Sequence, residues 1–178
     1  MTSKTCLIGL GNILMQDDGI GVHAVREIER RFRFSPQIAI VDGGTLGLAL
    51  LPLIEGYGRV LFVDAVEAGR EPGAVIVREG EEVPACLGAQ VSVHQAGLAD
   101  LLYAARMAGM MPPEVCLVGI QPQAVGLGLE PTPLLRDKRE ELITSVLARL
   151  AAWGIKAADA AHSSDEGGCD VQEMPGPT

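Results

Sequence analysis

The sequence predicts an α/β fold of three layers, α/β/α, with a mainly parallel, twisted sheet covered by helices on both faces. Two observations predict it. Short apolar runs bounded by turn residues recur along the chain, as buried parallel strands do, and amphipathic helical patterns lie between them. Strand–helix alternation of this kind builds right-handed crossovers and hence a parallel sheet.

Taken in order, "TCLIGL" (5–10) is the first strand and ends in a Gly-rich turn. Residues 19–32 follow as a helix: Val22, Val25 and Ile28 recur at near-helical spacing, and Arg26, Glu29 and Arg30 supply a wet face. "QIAIVD" (37–42) is the second strand, the leucine-rich residues 46–55 a helix, and "RVLFVDAV" (59–66) the third strand. The segment "EPGAVIVREGEEVP" (71–84) reads as an edge hairpin with a charged turn. Residues 95–109 carry Leu98, Leu101, Leu102 and Ala105 on one helical face, and "EVCLVGIQ" (114–121) is a further buried strand. The last long helix has Thr132 as its cap and Pro133 in its first turn. Leu135, Leu142, Ile143, Val146, Leu147 and Leu150 form its apolar stripe. Residues 1–156 are expected to form one domain, and the polar, Pro- and Gly-rich residues 157–178 a flexible tail.

Composition narrows the function classes. A chain of 178 residues with 48% apolar content can bury one substantial core. With one Trp, two Tyr and three Phe, that core is aliphatic. The net charge of −9 argues against nucleic-acid binding, which rests on Lys and Arg neutralising phosphates, and suits contact with a cation or a basic segment. Cys6, Cys86, Cys116 and Cys169 form no C-x-x-C pair, and Cys6 and Cys116 lie in strand-like runs as small core residues. A reducing cytoplasm is therefore expected. No signal-peptide core and no membrane span is apparent.

In open α/β sheets the site lies beyond the carboxyl ends of the strands. The residues there are Gly11 to Asp18, Asp42 to Thr45, Asp64, and Gln121 with Pro122. The turn "GLGNILMQDDGIGV" (9–22) suggests a phosphate cradle at first sight. However, Leu14 stands where a dinucleotide fingerprint requires its third glycine, and no G-K-[ST] follows. Asp17 and Asp18 at the helix start would repel a phosphate. A divalent metal fits better: Asp18, Asp64 and His94 offer two carboxylates and one imidazole, a set suited to Zn²⁺ or Ni²⁺. Each also has a structural reading: Asp17 and Asp18 as helix caps, Asp64 as a strand-terminal turn residue, His94 as a structural histidine. Of the pair, Asp17 is read as the cap. His23, about one and a half turns beyond Asp18, is read as a surface or supporting residue. No G-x-S-x-G elbow, H-E-x-x-H motif or Cys–His pair supports Ser/His/Asp, zinc-protease or Cys/His hydrolysis.

Five motifs in order, "GLGNILMQDDGIGV", "VDGGTLGLALLPLI", "VLFVDAVEAG", "SVHQAGLADLL" and "LVGIQP", resemble those of the NiFe hydrogenase maturation endopeptidases, especially the type serving uptake hydrogenases. The likeness runs over residues 4–156. It implies a doubly wound α/β fold and an endopeptidase that removes the C-terminal extension of the hydrogenase large-subunit precursor after nickel insertion. It implies that Asp18, Asp64 and His94 contact nickel carried by the precursor, with no organic cofactor, nucleic acid or membrane involved. Asp18 stands where relatives often have Glu. Asp42, in "VDGGT", falls on an acid the family places close to the cleavage site, so Asp42, Asp18 and Asp64 are the catalytic candidates. Two alternatives stay open. The same motifs would serve a non-catalytic, nickel-sensing chaperone of the precursor. Peptidyl-tRNA hydrolase also opens with a strand and "GLGN" and needs a nearby histidine, for which His23 is available, but the −9 charge and the Asp17–Asp18 pair point away from it.

Overall fold

The structure, a computed structural model, describes residues 3–86 and 93–160; the side chains of residues 86 and 93–96 lie outside that description. In chain order the elements are β1 (Thr5–Leu10), α1 (Ile20–Arg31), β2 (Phe32–Ser35), β3 (Ala39–Gly44), α2 (Leu51–Ile54), β4 (Arg59–Ala65), β5 (Val75–Glu79), α3 (Glu82–Cys86), α4 (Val93–Ala108), β6 (Glu114–Ile120), α5 (Pro133–Ala152) and β7 (Lys156–Asp159). One-turn 3-10 segments at Gln16–Gly19 and Gly47–Leu50 precede α1 and α2.

The expected three-layer architecture is present. The main sheet has five strands in the order β3-β1-β4-β6-β5, with every pair parallel except β5 against β6. Pleating divides its side chains between two cores. Leu7, Leu61, Val63, Cys116 and Val118 pack against Ala24, Val25 and Ile28 of α1 and Leu142, Ile143 and Val146 of α5. Cys6, Ile8, Val60, Phe62 and Leu117 pack on the other face against Ile54 of α2, Val83 of α3 and Leu98, Leu101 and Leu102 of α4. β1 is buried along its whole length and β4 from Val60 onward, because both faces are covered. Burial pushes the Cys6 thiol up to about 12 and the Cys116 thiol up to about 11, so both behave as small apolar groups.

Three expectations change. Residues 71–84 do not form a hairpin. β5 pairs antiparallel with β6, extending the sheet edge, and after Gly80, whose φ is +52°, the chain turns into α3 in place of a returning strand. Residues 46–55 form a 3-10 turn and the four-residue α2, with Pro52 in the first turn of α2, where its missing N–H costs nothing. The paired chain also continues past 156: β7 pairs antiparallel with β2 in a second, two-stranded sheet. Residues 161–178 of the expected tail lie outside the described residues. Among the described residues no helix is long and apolar enough to cross a membrane.

Candidate active site at the carboxyl edge of the sheet

The turn after β1 is packed backbone to backbone. Gly11 has φ +118°, and a Cβ there would fall 1.8 Å from the Asp18 carbonyl oxygen, so only glycine lets the chain double back at this point. Gly21 plays the part of the absent third fingerprint glycine from inside α1: a Cβ on it would meet the Val63 carbonyl oxygen at 2.2 Å and that of Leu10 at 2.5 Å. The first turn of α1 thus rests directly on the ends of β1 and β4.

Asp18 is 2% exposed, and its Oδ2 accepts the Asn12 N–H at 2.8 Å. The Asn12 side chain in turn accepts the Leu14 N–H at 3.0 Å, closing the loop on itself. The 3-10 turn bearing Asp18 packs against β4, the strand that carries Asp64. Asp64 is completely buried one residue before the end of β4, level with Gly119 of β6. Its even-numbered predecessors Val60 and Phe62 face α4, so alternation assigns Asp64 to the α4 face.

His94 is the second residue of α4 and its side chain lies outside the described residues. The helix itself is well placed: α4 packs on the Gly47–Leu50 turn, and a Cβ on Gly47 would lie 3.6 Å from Gly97 Cα. The first turn of α4 thereby stands beside the loop that leaves β3, on the face to which Asp64 belongs. Among the described residues no group of three or more His, Cys, Asp or Glu is arranged to hold a metal ion.

Asp42 departs from this group. It lies level with Gly9 on β3, one strand beyond β1, and two strand spacings, about 10 Å, separate β3 from β4. It follows Ile40, which packs on the α1 side, and its Oδ2 accepts from Nη2 of Arg26 at 2.6 Å and Nε at 2.9 Å. Asp42 and Asp64 therefore border the same sheet end from opposite faces. The side chain of Asp42 remains 39% exposed.

The cap assigned to Asp17 is a correction. No side-chain cap bond is made at the start of either the 3-10 turn or α1. Asp17 is instead fully buried and turned toward the chain between β6 and α5. Its Oδ2 accepts from Gln123 N at 2.9 Å, Ala124 N at 3.0 Å and Thr132 Oγ1 at 3.1 Å, and its Oδ1 from Thr132 N at 2.6 Å. Thr132 caps α5 as expected, accepting the Leu135 N–H at 3.4 Å. Gln121, 4% exposed, performs a similar service for the chain after β4: its Oε1 accepts from Ala68 N and Arg70 N, and its Nε2 donates to Glu67. Neither Asp17 nor Gln121 carries a local pattern that announces these partners; their position just past a strand is the one available signal. His23 is half-buried on α1, and among the described residues its Nε2 has no hydrogen-bond partner. Burial first, then the neighbouring Arg26, lowers its pKa.

The hydrogenase maturation protease (HycI) family model matches residues 22–149. The chain is 40% identical over 149 residues to the hydrogenase expression/formation protein HoxM of Cupriavidus necator, covering 83% of this chain and 74% of that one. It is 36% identical over 155 residues to the hydrogenase 2 maturation protease of Escherichia coli, covering 86% of this chain and 94% of that one. Its fold superimposes on the hydrogenase maturating endopeptidase HybD of E. coli with a TM-score of 0.85 at 35% identity, over 90% of this chain and 99% of that structure. A [NiFe] hydrogenase maturation protease from Thermococcus kodakarensis matches with a TM-score of 0.68 at 26% identity, over 83% of this chain and 99% of that structure.

Proposed function

This chain belongs to the hydrogenase maturation protease family, a family of peptide-bond hydrolases, and from that premise we propose that it removes the C-terminal extension of the nickel-loaded large-subunit precursor of a NiFe hydrogenase. The observation that carries the reading is the pair of buried carboxylates, Asp18 and Asp64, at the carboxyl end of the two central strands. Asp18 lies in the 3-10 turn after β1 and Asp64 near the end of β4, the strand against which that turn packs, so a docking cation would meet carboxylate oxygens at this edge.

In this reading the cation is the precursor's nickel. Asp18 and Asp64, with His94 from the first turn of α4, would complete its coordination when the precursor docks. That donor set of two carboxylates and an imidazole suits nickel. Asp18 is oriented for the task by the Asn12 N–H. Metal-polarised carbonyl or water chemistry would assist cleavage. Asp42 would orient the attacking water or accept its proton; Arg26 already holds Oδ2, so proton acceptance falls to Oδ1. A cytoplasmic setting fits this role, Cys6 and Cys116 being free thiols.

The test is incubation of purified protein with nickel-loaded and nickel-free precursor. A product shortened by the length of the extension, formed from the nickel-loaded precursor alone, is expected. Asp64→Asn and His94→Ala should remain folded and leave the precursor uncut. Normal trimming by either variant sinks the site assignment. Binding without any trimming by the wild type would instead identify a nickel-sensing chaperone.

A further inference from the structure

The chain between β6 and α5 contains the run Val125-Gly126-Leu127-Gly128-Leu129, in which apolar residues alternate with glycines. In most extended segments such alternation turns the apolar side inward. Here it is reversed. The glycines face the turn after β1: a Cβ on Gly126 would lie 3.2 Å from Gln16 Oε1, and one on Gly128 would lie 2.8 Å from Gln16 Cγ. Val125, Leu127 and Leu129 are left 50%, 89% and 66% exposed, and Leu14 beside them 55%.

This ridge is held in place. Gln16 N donates to Gly128 O at 2.8 Å and Gly128 N to Leu14 O at 3.0 Å, a parallel bridge joining the two loops. Asp17 secures the same loop at Gln123, Ala124 and Thr132. A segment already ordered by its own hydrogen bonds loses little further freedom on binding, and contiguous exposed apolar side chains on a soluble chain mark a contact surface.

We propose that Leu14, Val125, Leu127 and Leu129 form a docking ridge for an apolar face of the folded large-subunit precursor, separate from the residues that meet its nickel and its scissile segment. The inference rests on the reading that the precursor is the substrate. Two observations select this occupant. Leu14 and Asp18 belong to one loop, closed by the Asn12–Asp18 bond, so a protein that presents a segment to Asp18 also covers the ridge. A second copy of this chain would bring two bodies of net charge −9 together, which repulsion opposes.

The experiment measures the Kd of purified nickel-loaded precursor for wild type, Leu127→Asp, Leu127→Gln and Tyr103→Asp, with trimming, Tm and sedimentation followed alongside. Tyr103 is 68% exposed on α4 and serves as the surface control. Burial of a leucine on binding predicts that either Leu127 variant weakens precursor binding about tenfold or more, with an unchanged Tm, while Tyr103→Asp binds as wild type. A Kd within twofold of wild type for both Leu127 variants overturns the ridge, even where the wild type trims normally. So does a wild-type dimer that Leu127→Asp dissociates without affecting precursor binding. Wild type that binds but does not trim, with binding lost in Leu127→Asp, supports the ridge and overturns the proteolytic reading instead.

Discussion

Asp17 and Thr132, 115 positions apart, are joined twice: the Thr132 N–H donates to Oδ1 at 2.6 Å and its hydroxyl to Oδ2 at 3.1 Å. Two further backbone donors, from Gln123 and Ala124, converge on the same carboxylate. One buried acid thus ties the turn that bears Asp18 to the start of α5 and to the ridge loop between them.

Asp17→Ala should therefore lower the free energy of unfolding by at least about 3 kcal/mol, since each buried donor left without its partner costs roughly 1–3 kcal/mol and water entering the space recovers part of the sum. Urea denaturation measures it. A loss below about 1 kcal/mol would mean that water replaces the carboxylate at no cost.

Arg26 and Asp42 present the opposite case. Their side chains are 52% and 39% exposed, and exposed ion pairs are worth roughly 0–1 kcal/mol. Arg26→Met should hence leave the denaturation midpoint nearly unchanged. If Asp42 handles a proton in the reaction, Asp42→Asn slows turnover of the precursor by about 100-fold or more while leaving the fold intact. Equal activity of Asp42→Asn and wild type removes Asp42 from the chemistry.

His23 makes stability depend on pH. Its pKa is lowered below the ordinary 6.5 by burial and by Arg26, so the unfolded chain takes up the proton first as pH falls. The contribution is complete above about 6.5 and is lost as pH drops toward the depressed folded value. Tm measured between pH 7.5 and 5 should decline, and His23→Gln should flatten that decline. An identical slope in the variant assigns the effect to other groups.

Cys6 and Cys116 are buried with pKa values raised to about 12 and about 11. Neither should react with a thiol reagent in the native protein at pH 8, and both should react after denaturation. Mass spectrometry of the alkylated chain reads the result. Trimming of the precursor should survive Cys116→Ala, and its abolition in a folded variant would point to a thiol nucleophile.

Much of this molecule was legible in its sequence because the governing chemistry is local. Apolar runs closed by glycine or acid mark where a buried strand ends, so β1, β4 and β6, and the acids beyond β1 and β4, follow from short windows. The Thr132-Pro133 start of α5 is local in the same sense. The antiparallel direction of β5 was hidden, because unpaired groups on β6 and the turn at Gly80 decide it. The β2–β7 pair was hidden for a similar reason: "FRFS" and "KAAD" are short, and each acquires its meaning only from the other.

The functional edge divides in the same way. The sequence alone determined which acids stand past the strand ends, that the turn after β1 carries glycines and carboxylates in place of a phosphate cradle, and which family motifs it resembles. Tertiary structure alone decided that Asp17 is an anchor and no cap, that Arg26 holds Asp42 on the face opposite Asp64, and that the glycines of the ridge loop turn its leucines outward. Strand ends and turns are set by neighbours within a few residues. The partners of a buried carboxylate, and the face a side chain takes, are set by segments that meet only when the sheet has assembled.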